Sequence, residues 1–299
     1  MTEHRNGGAA VVETLAAHGV DTIFGIPGTH NLEIYRHLQT TGIRAVTPRH
    51  EQGAGYAAEA FARVTGRPGV VVATSGPGLT NTMTAAATAY AESQPMLILS
   101  SGMPTGAEGQ DLGQLHEAKN TSAAMDHLVR WSRRVRSADE AAEAVTDAFG
   151  SFTGRKRPVH VEIPFDVLEQ QWSGQPRIAA KASAPQTDPD ALRRATAVLA
   201  AAVHPVIIAG GGAVDAQTEL TALAEALGAP VATTVNGKGV VDEAHPLSVG
   251  ASIRLRAVQK AAADSDALLV VGTELGDSDL REGQIRGRTV IRCDIEPAN

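Results

Sequence analysis

The chain has 299 residues, 43% of them hydrophobic, and its interleaved acids and bases sum to a formal charge of -7. That length favours two domains, and the charge pattern excludes the basic footprint of a nucleic-acid binder. The single cysteine, Cys293, excludes an intrachain disulfide, and no apolar run is long enough for a transmembrane helix. The polar N-terminus lacks a signal-peptide core, so a cytoplasmic protein with no nucleic-acid or membrane partner is expected. Few aromatics and abundant Ala, Val and Gly suit helices packed on a parallel sheet.

In chain order, Ala9 to His18 predicts a helix closed by Gly19, Val20 to Ile26 a strand, and Pro27-Gly28 a turn. Asn31 to Gln39 is helical, Ile43 to Thr47 a strand, and a helix opens at Glu51. Val70 to Thr74 is a buried strand, followed by the turn Ser75-Gly76-Pro77-Gly78 and a helix to about Tyr90. Pro95 to Ser100 is a strand, 102–120 a polar loop, Asp139 to Phe149 a helix, and Pro158 to Ile163 a strand. A polar stretch at 171–188, with Gly174, Pro176 and Pro185, reads as a linker. Beyond it, helices at Asp190 to Ala202, Gln217 to Leu227 and Arg254 to Ala263 alternate with strands. Those strands are Pro205 to Ala209, Pro230 to Thr234, Ala267 to Gly272 and Thr289 to Cys293. The expected fold is α/β: two open, doubly wound parallel-sheet domains, at 1–170 and 189–299. Ligands of such sheets bind beyond the C-terminal strand ends. Pro27-Gly28, Glu51, the Gly76 turn and the Gly102 loop all fall there.

The Ser75 to Gly78 turn reads as a phosphate cradle or as a plain strand-to-helix turn. The plain turn is favoured, because a P-loop lysine and Rossmann glycine spacing are missing and Pro77 removes a donor. Glu51 alone reads equally as a surface carboxylate favoured by the helix dipole.

Taken together, the motifs resemble the pyrimidine-binding domain of thiamine-diphosphate enzymes of the acetolactate synthase, benzoylformate decarboxylase and pyruvate decarboxylase group. They are Gly25-Ile26-Pro27-Gly28, His50-Glu51-Gln52-Gly53-Ala54, Ala73-Thr74-Ser75-Gly76-Pro77-Gly78, Asn81 and Pro158 to Pro164. The resemblance implies that Glu51 bonds the aminopyrimidine N1′ and promotes the C2 ylid that decarboxylates a 2-oxo acid. It implies cofactor contacts at Pro27, Gly28, Thr74, Gly76, Pro77, Gly78 and Asn81. It also makes Gln114, His116 and His30 candidate catalytic residues; for each loop histidine a solvated or capping role stays open. Thr74 stands where benzoylformate decarboxylase has a histidine. Gly113 replaces the synthase phenylalanine, and Glu117 replaces the second of two adjacent histidines.

The second domain resembles the central domain of the same enzymes through Val235 to Val240, His245 to Gly250 and Asp294-Ile295-Glu296-Pro297. Some relatives bind flavin adenine dinucleotide there. Gly210 to Gly212 lacks the third spaced glycine, so packing is favoured over FAD. The family's third domain, which holds Mg2+ and the diphosphate, finds no counterpart in these residues, and Gly276-Asp277 reads as a loop rather than a metal site. The expectation is a fragment of a longer 2-oxo acid decarboxylase, or a subunit that needs a diphosphate-binding partner, in a homodimer or homotetramer. An acetolactate synthase-like carboligase is the alternative, and a non-catalytic interaction protein that kept the fold is another.

Overall fold

The computed structural model describes residues 5–180, 186–280, 285 and 287–296. They fall into two units, Met1–Ser183 and Ala184–Asn299. Each is a parallel α/β sheet, as the alternation of strand and helix patterns requires. No helix of the described residues is long and apolar enough to cross a membrane.

The first unit runs α1 (Gly7–Ala17), β1 (Thr22–Gly25), α2 (Leu32–Thr41), β2 (Arg44–Val46), α3 (Glu51–Thr65) and β3 (Gly69–Ala73). It continues with α4 (Pro77–Thr80), α5 (Met83–Ala91), β4 (Met96–Gly102), α6 (Thr121–Asp126) and β5 (Ser132–Arg134). α7 (Ala138–Ser151), β6 (Val159–Pro164) and α8 (Phe165–Glu169) complete it. The strand order is β2-β1-β3-β4-β6-β5, every pairing parallel. All C-terminal strand ends therefore share one edge, which gathers the turns after β1, β3 and β4.

Strand periodicity divides the core in two. Val70, Val72, Leu97, Leu99, Val161 and Ile163 face α1, α2 and α7. Val71, Met96 and Ile98 face the alanine-rich α3 and α5. Small residues let that second layer sit close: a Cβ on Gly55 would come within 2.5 Å of the Ala85 methyl. Asn6 caps α1, Ser137 caps α7, and Gly42 and Gly66 close α2 and α3 at positive φ.

The second unit runs α9 (Pro189–Ala201), β7 (Pro205–Ala209), a 3-10 turn (Gly211–Ala216), α10 (Gln217–Leu227), β8 (Val231–Thr233) and β9 (Ser248–Gly250). α11 (Arg256–Asp264), β10 (Ala267–Val271), α12 (Asp277–Leu280) and β11 (Val290–Cys293) follow, in the order β11-β10-β7-β8-β9. Its two cores centre on Ile207, Ala209 and Leu269, and on Val206, Ile208 and Val270.

The sequence pattern misses β5, β9, α6, α8 and α12, all short. β5 reads Ser-Arg-Arg and lies at the sheet edge, so its extended form comes from pairing with β6. The helix expected after Gly78 is two pieces, α4 and α5. Trp172, inside the stretch read as linker, is buried, and its indole N–H donates to Asp139 at 2.8 Å. Asp277, read as loop, opens the short α12.

Candidate functional site

Glu51 is the first residue of α3. His50 holds that end in place: it is extended, and its Nδ1 accepts from the Gln52 backbone N–H at 3.1 Å. The Asn81 amide donates to Glu51 Oε2 at 2.9 Å. The other oxygen, Oε1, lies 3.6 Å from where a Cβ on Gly78 would stand. That Cβ would also meet Thr74 Cγ2 at 2.5 Å, so only glycine lets α4 start against Thr74 with the carboxylate alongside. Gly28 joins the same cradle, its missing Cβ being 3.4 Å from Thr74. Pro27 is exposed beside it. Glu51, Thr74, Gly78, Asn81 and Gly28 are thus brought together.

His30 and His116 form a second group, to which no hydrogen bond joins Glu51 among the described residues. His30 Nδ1 lies 2.6 Å from the Ser75 hydroxyl, and its ring stacks on Phe165 at 5.0 Å. The His116 ring meets it edge-on at 6.0 Å. Burial first, and His116 second, hold the His30 imidazole below the ordinary histidine range. Gly76 joins the turn to this loop. It has φ 53°, and its missing Cβ would lie 2.2 Å from the His116 carbonyl oxygen.

The 102–120 loop has its own lock. Glu117 accepts from the backbone N–H groups of Leu112 and Gln114 at 3.1 and 3.0 Å. These amides hold its carboxyl below the usual range. Glu117 therefore shapes the loop that carries Gln114 and His116. Gln114 Oε1 and His116 Nδ1 are both buried without a hydrogen-bond partner. Such orphaned atoms fit a site shaped for a bound group.

Below the Gly76 turn lies a cavity of about 240 Å³ lined by Ser75, His116, Thr121, Arg134 and Glu162, among others. Glu162 is buried, accepts from the Thr121 and Ser122 hydroxyls at 2.8 Å each, and pairs with Arg134. A wider groove of about 690 Å³ runs past Trp131, Arg133 and Ile178, and none of the expected site residues lines it. No group of three or more potential metal ligands occurs among the described residues.

Two residues at this edge escaped the sequence reading. Fully buried Asn31 accepts from Gly28 N–H at 2.8 Å and donates to the Ile26 carbonyl at 3.1 Å, which pins the Pro27-Gly28 turn. An Asn three residues after a turn glycine is the signal that could have found it. Ser75 was read only as part of a turn.

In the second unit the glycines face one another. Missing Cβ atoms on Gly210 and Gly237 would lie 2.4 Å from the carbonyl oxygens of Gly272 and Ala209. Backbone occupies the space their side chains would need.

Comparison with known proteins places both units in one family. Residues 5–129 match the family profile described as thiamine pyrophosphate enzyme, N-terminal TPP binding domain. Residues 192–299 match that of the thiamine pyrophosphate enzyme central domain. A probable 2-ketoarginine decarboxylase of Pseudomonas aeruginosa is 43% identical over 97% of this chain and 53% of its own length. A probable acetolactate synthase large subunit of Methanocaldococcus jannaschii is 36% identical over 98% of the chain and 51% of its own. The acetolactate synthase isozyme 1 large subunit of Escherichia coli is 35% identical, with 98% and 53% covered. The chain spans about half the length of these curated relatives. Two profiles in the family's order, over two parallel-sheet units, show that the chain belongs to the thiamine pyrophosphate enzyme family, with its N-terminal and central domains.

Proposed function

We propose that this chain supplies the aminopyrimidine side of a thiamine diphosphate site in a 2-oxo acid decarboxylase. One observation carries the reading: Glu51 has Oε2 tied to Asn81 and Oε1 beside the bare backbone of Gly78. Bound thiamine diphosphate supplies a carbon nucleophile and an electron sink. The chain's part is to hold and move a proton. Glu51 Oε1 would hold the proton that it shares with the aminopyrimidine N1′, while the Asn81 amide keeps the carboxyl group oriented. Pro27, Gly28, Thr74, Gly76, Pro77 and Gly78 would form the wall that holds the ring. Gln114, His116 and His30 face the 2-oxo acid, and the orphaned Gln114 Oε1 and His116 Nδ1 support that placement.

Mg2+ and the diphosphate would be held by a diphosphate-binding domain, in a longer chain or on a partner subunit, with the active site formed in a homodimer or homotetramer. The mutual packing of Gly210, Gly237 and Gly272 supports a central domain that works without FAD.

Decarboxylation is preferred over carboligation because the 43% match is to a probable decarboxylase and because Gly113 stands where the synthase pattern has a phenylalanine. That relative's name also brings in a guanidinium-bearing 2-oxo acid. Exposed Asp111 on the same loop offers the matching charge. The acetolactate synthase relatives support the second reading, a carboligase.

Calorimetric titration with thiamine diphosphate and Mg2+, with a diphosphate-binding domain supplied, tests the site. Proton exchange at the cofactor's C2, followed by NMR after acid quench, tests Glu51. Glu51→Gln is expected to slow exchange at least ~10³-fold, well beyond the ~10²-fold floor for a positioned acid–base group. Exchange at the wild-type rate would remove Glu51 from the reaction. Product analysis separates the readings: carbon dioxide with an aldehyde for the decarboxylase, a 2-hydroxy-3-oxo acid for the carboligase.

A further inference from the structure

Ser75 is 2% exposed, and among the described residues its side chain makes one hydrogen bond, to His30 Nδ1 at 2.6 Å. A hydroxyl has one proton to donate, and burying it without an acceptor costs free energy. Among the described residues, His30 Nδ1 is the acceptor within hydrogen-bond distance. A neutral imidazole that accepts at Nδ1 carries its own proton on Nε2. Phe165, stacked at 5.0 Å and 23°, and His116, edge-on at 6.0 Å and 75°, fix the plane of the same ring.

We propose that Ser75 is a positioning residue that fixes His30 as the Nε2–H tautomer, so that the neutral ring offers a hydrogen-bond donor from its remaining nitrogen. The opposite arrangement is unfavourable on these contacts. An imidazolium would bring an N–H to Nδ1, Ser75 would have to accept, and its own proton would lose its acceptor. Ser75 therefore works in the same direction as burial and His116, both of which disfavour the charged ring. His116 is the titratable group whose charge acts on His30; Ser75 and Phe165, packed on its other sides, carry none.

The arrangement also explains why the turn is built as it is. Gly76 follows Ser75 at φ 53°, and its lack of a side chain lets the His116 backbone close over the turn. One serine–glycine pair thus sets the tautomer of the first histidine and the approach of the second. The consequence rests on the function proposed above: a neutral donor can bond a carbonyl or carboxylate oxygen of a 2-oxo acid while the site gains no further charge.

Long-range proton–nitrogen correlation NMR on the nitrogen-15-labelled chain tests this, with His30 assigned by its loss in His30→Gln. The wild type is expected to show the Nε2–H tautomer and an apparent pKa below the ordinary ~6.5. Ser75→Ala should give mixed tautomers and an upward shift of that pKa, and Ser75→Thr, which keeps the hydroxyl, should restore the wild-type pattern. An Nδ1–H tautomer in the wild type would overturn the proposal, and so would Ser75→Ala leaving the tautomer unchanged. If Ser75→Ala does not fold, the wild-type and Ser75→Thr spectra decide it. The measurement needs no cofactor. Failed thiamine diphosphate binding would sink the functional reading and leave the tautomer result standing, and the converse holds.

Discussion

Both units end their strands in glycine-rich turns, and the turns are put to different use. In the first unit the glycines make room for polar side chains and a loop. Gly78 leaves Glu51 Oε1 beside bare backbone, and Gly76 lets the His116 loop close over β3. Polar atoms of Gln114 and His116 stay buried and unpartnered around them. In the second unit Gly210, Gly212, Gly237 and Gly272 meet backbone, much of it their own. The same residue type at the same topological place thus admits polar side chains and a loop at one edge and mainly backbone at the other. A glycine run after a parallel strand is a statement about space; its neighbours decide what fills that space.

Substitutions can break that comparison. The largest effect is expected from Gly76→Ala, whose Cβ would need positive φ and would strike the His116 carbonyl. A loss of ~3 kcal/mol in the first unit's unfolding, measured in urea, should come with weaker thiamine diphosphate binding. Gly210→Ala should cost a similar amount in the second unit, since its Cβ would meet Gly272 and Thr273 at 2.4 Å. Thiamine diphosphate binding should be unaffected in that variant. Equal loss of binding in both variants would erase the distinction.

The next effect concerns His160, which separates the sheets in another way. It is fully buried on β6 between the Ser100 and Ser132 hydroxyls, at 2.9 and 2.7 Å. The strands of the second unit's sheet carry no histidine. Burial pushes the His160 imidazole down to about 3. The unfolded chain takes that proton near pH ~6.5, while the folded chain does not. Stability from this group is therefore full above that pH and falls as pH drops, by up to ~1.4 kcal/mol per unit. His160→Leu should cost ~2–3 kcal/mol at neutral pH by stranding two hydroxyls, and should flatten this acid slope. Urea midpoints from pH 7 to pH 4 read both. An unchanged slope would mean that other groups govern the acid limb.

The smallest effect is local to the site. Asn81→Ala removes the amide that holds Glu51 Oε2. A hydrogen bond to a charged acceptor is worth about 1.5–3 kcal/mol, so C2 exchange should slow at least ~10-fold without abolition. A loss as deep as that of Glu51→Gln would show that the amide takes part in proton transfer itself.

Much of this was readable in one dimension. Alternating apolar runs and helical spacings placed the longer strands and helices to within a few residues, because burial on both sheet faces forces such runs. The turns at Gly28 and Gly76, and Glu51 at a helix start, were legible as strand-end features. β5 was not, since Ser132-Arg133-Arg134 has no apolar period and becomes a strand only by pairing with His160 to Glu162. Nor were contacts between residues distant in sequence. Ser75 and His30 are 45 residues apart, and Arg134 and Glu162 are 28 apart. Glu117 looked like a substituted histidine and proves to be the clamp of its own loop.

The sequence by itself determined the two parallel sheets, their shared kind of edge and the helix that begins at Glu51. Those follow from local propensity, periodicity and the right-handed connection rule, which act along the chain. Tertiary structure alone decided which carboxylate oxygen Asn81 occupies, which hydroxyl meets His30, and which glycines face backbone rather than open space. Those depend on distances across strands and loops, where a shift of one ångström makes or loses a hydrogen bond.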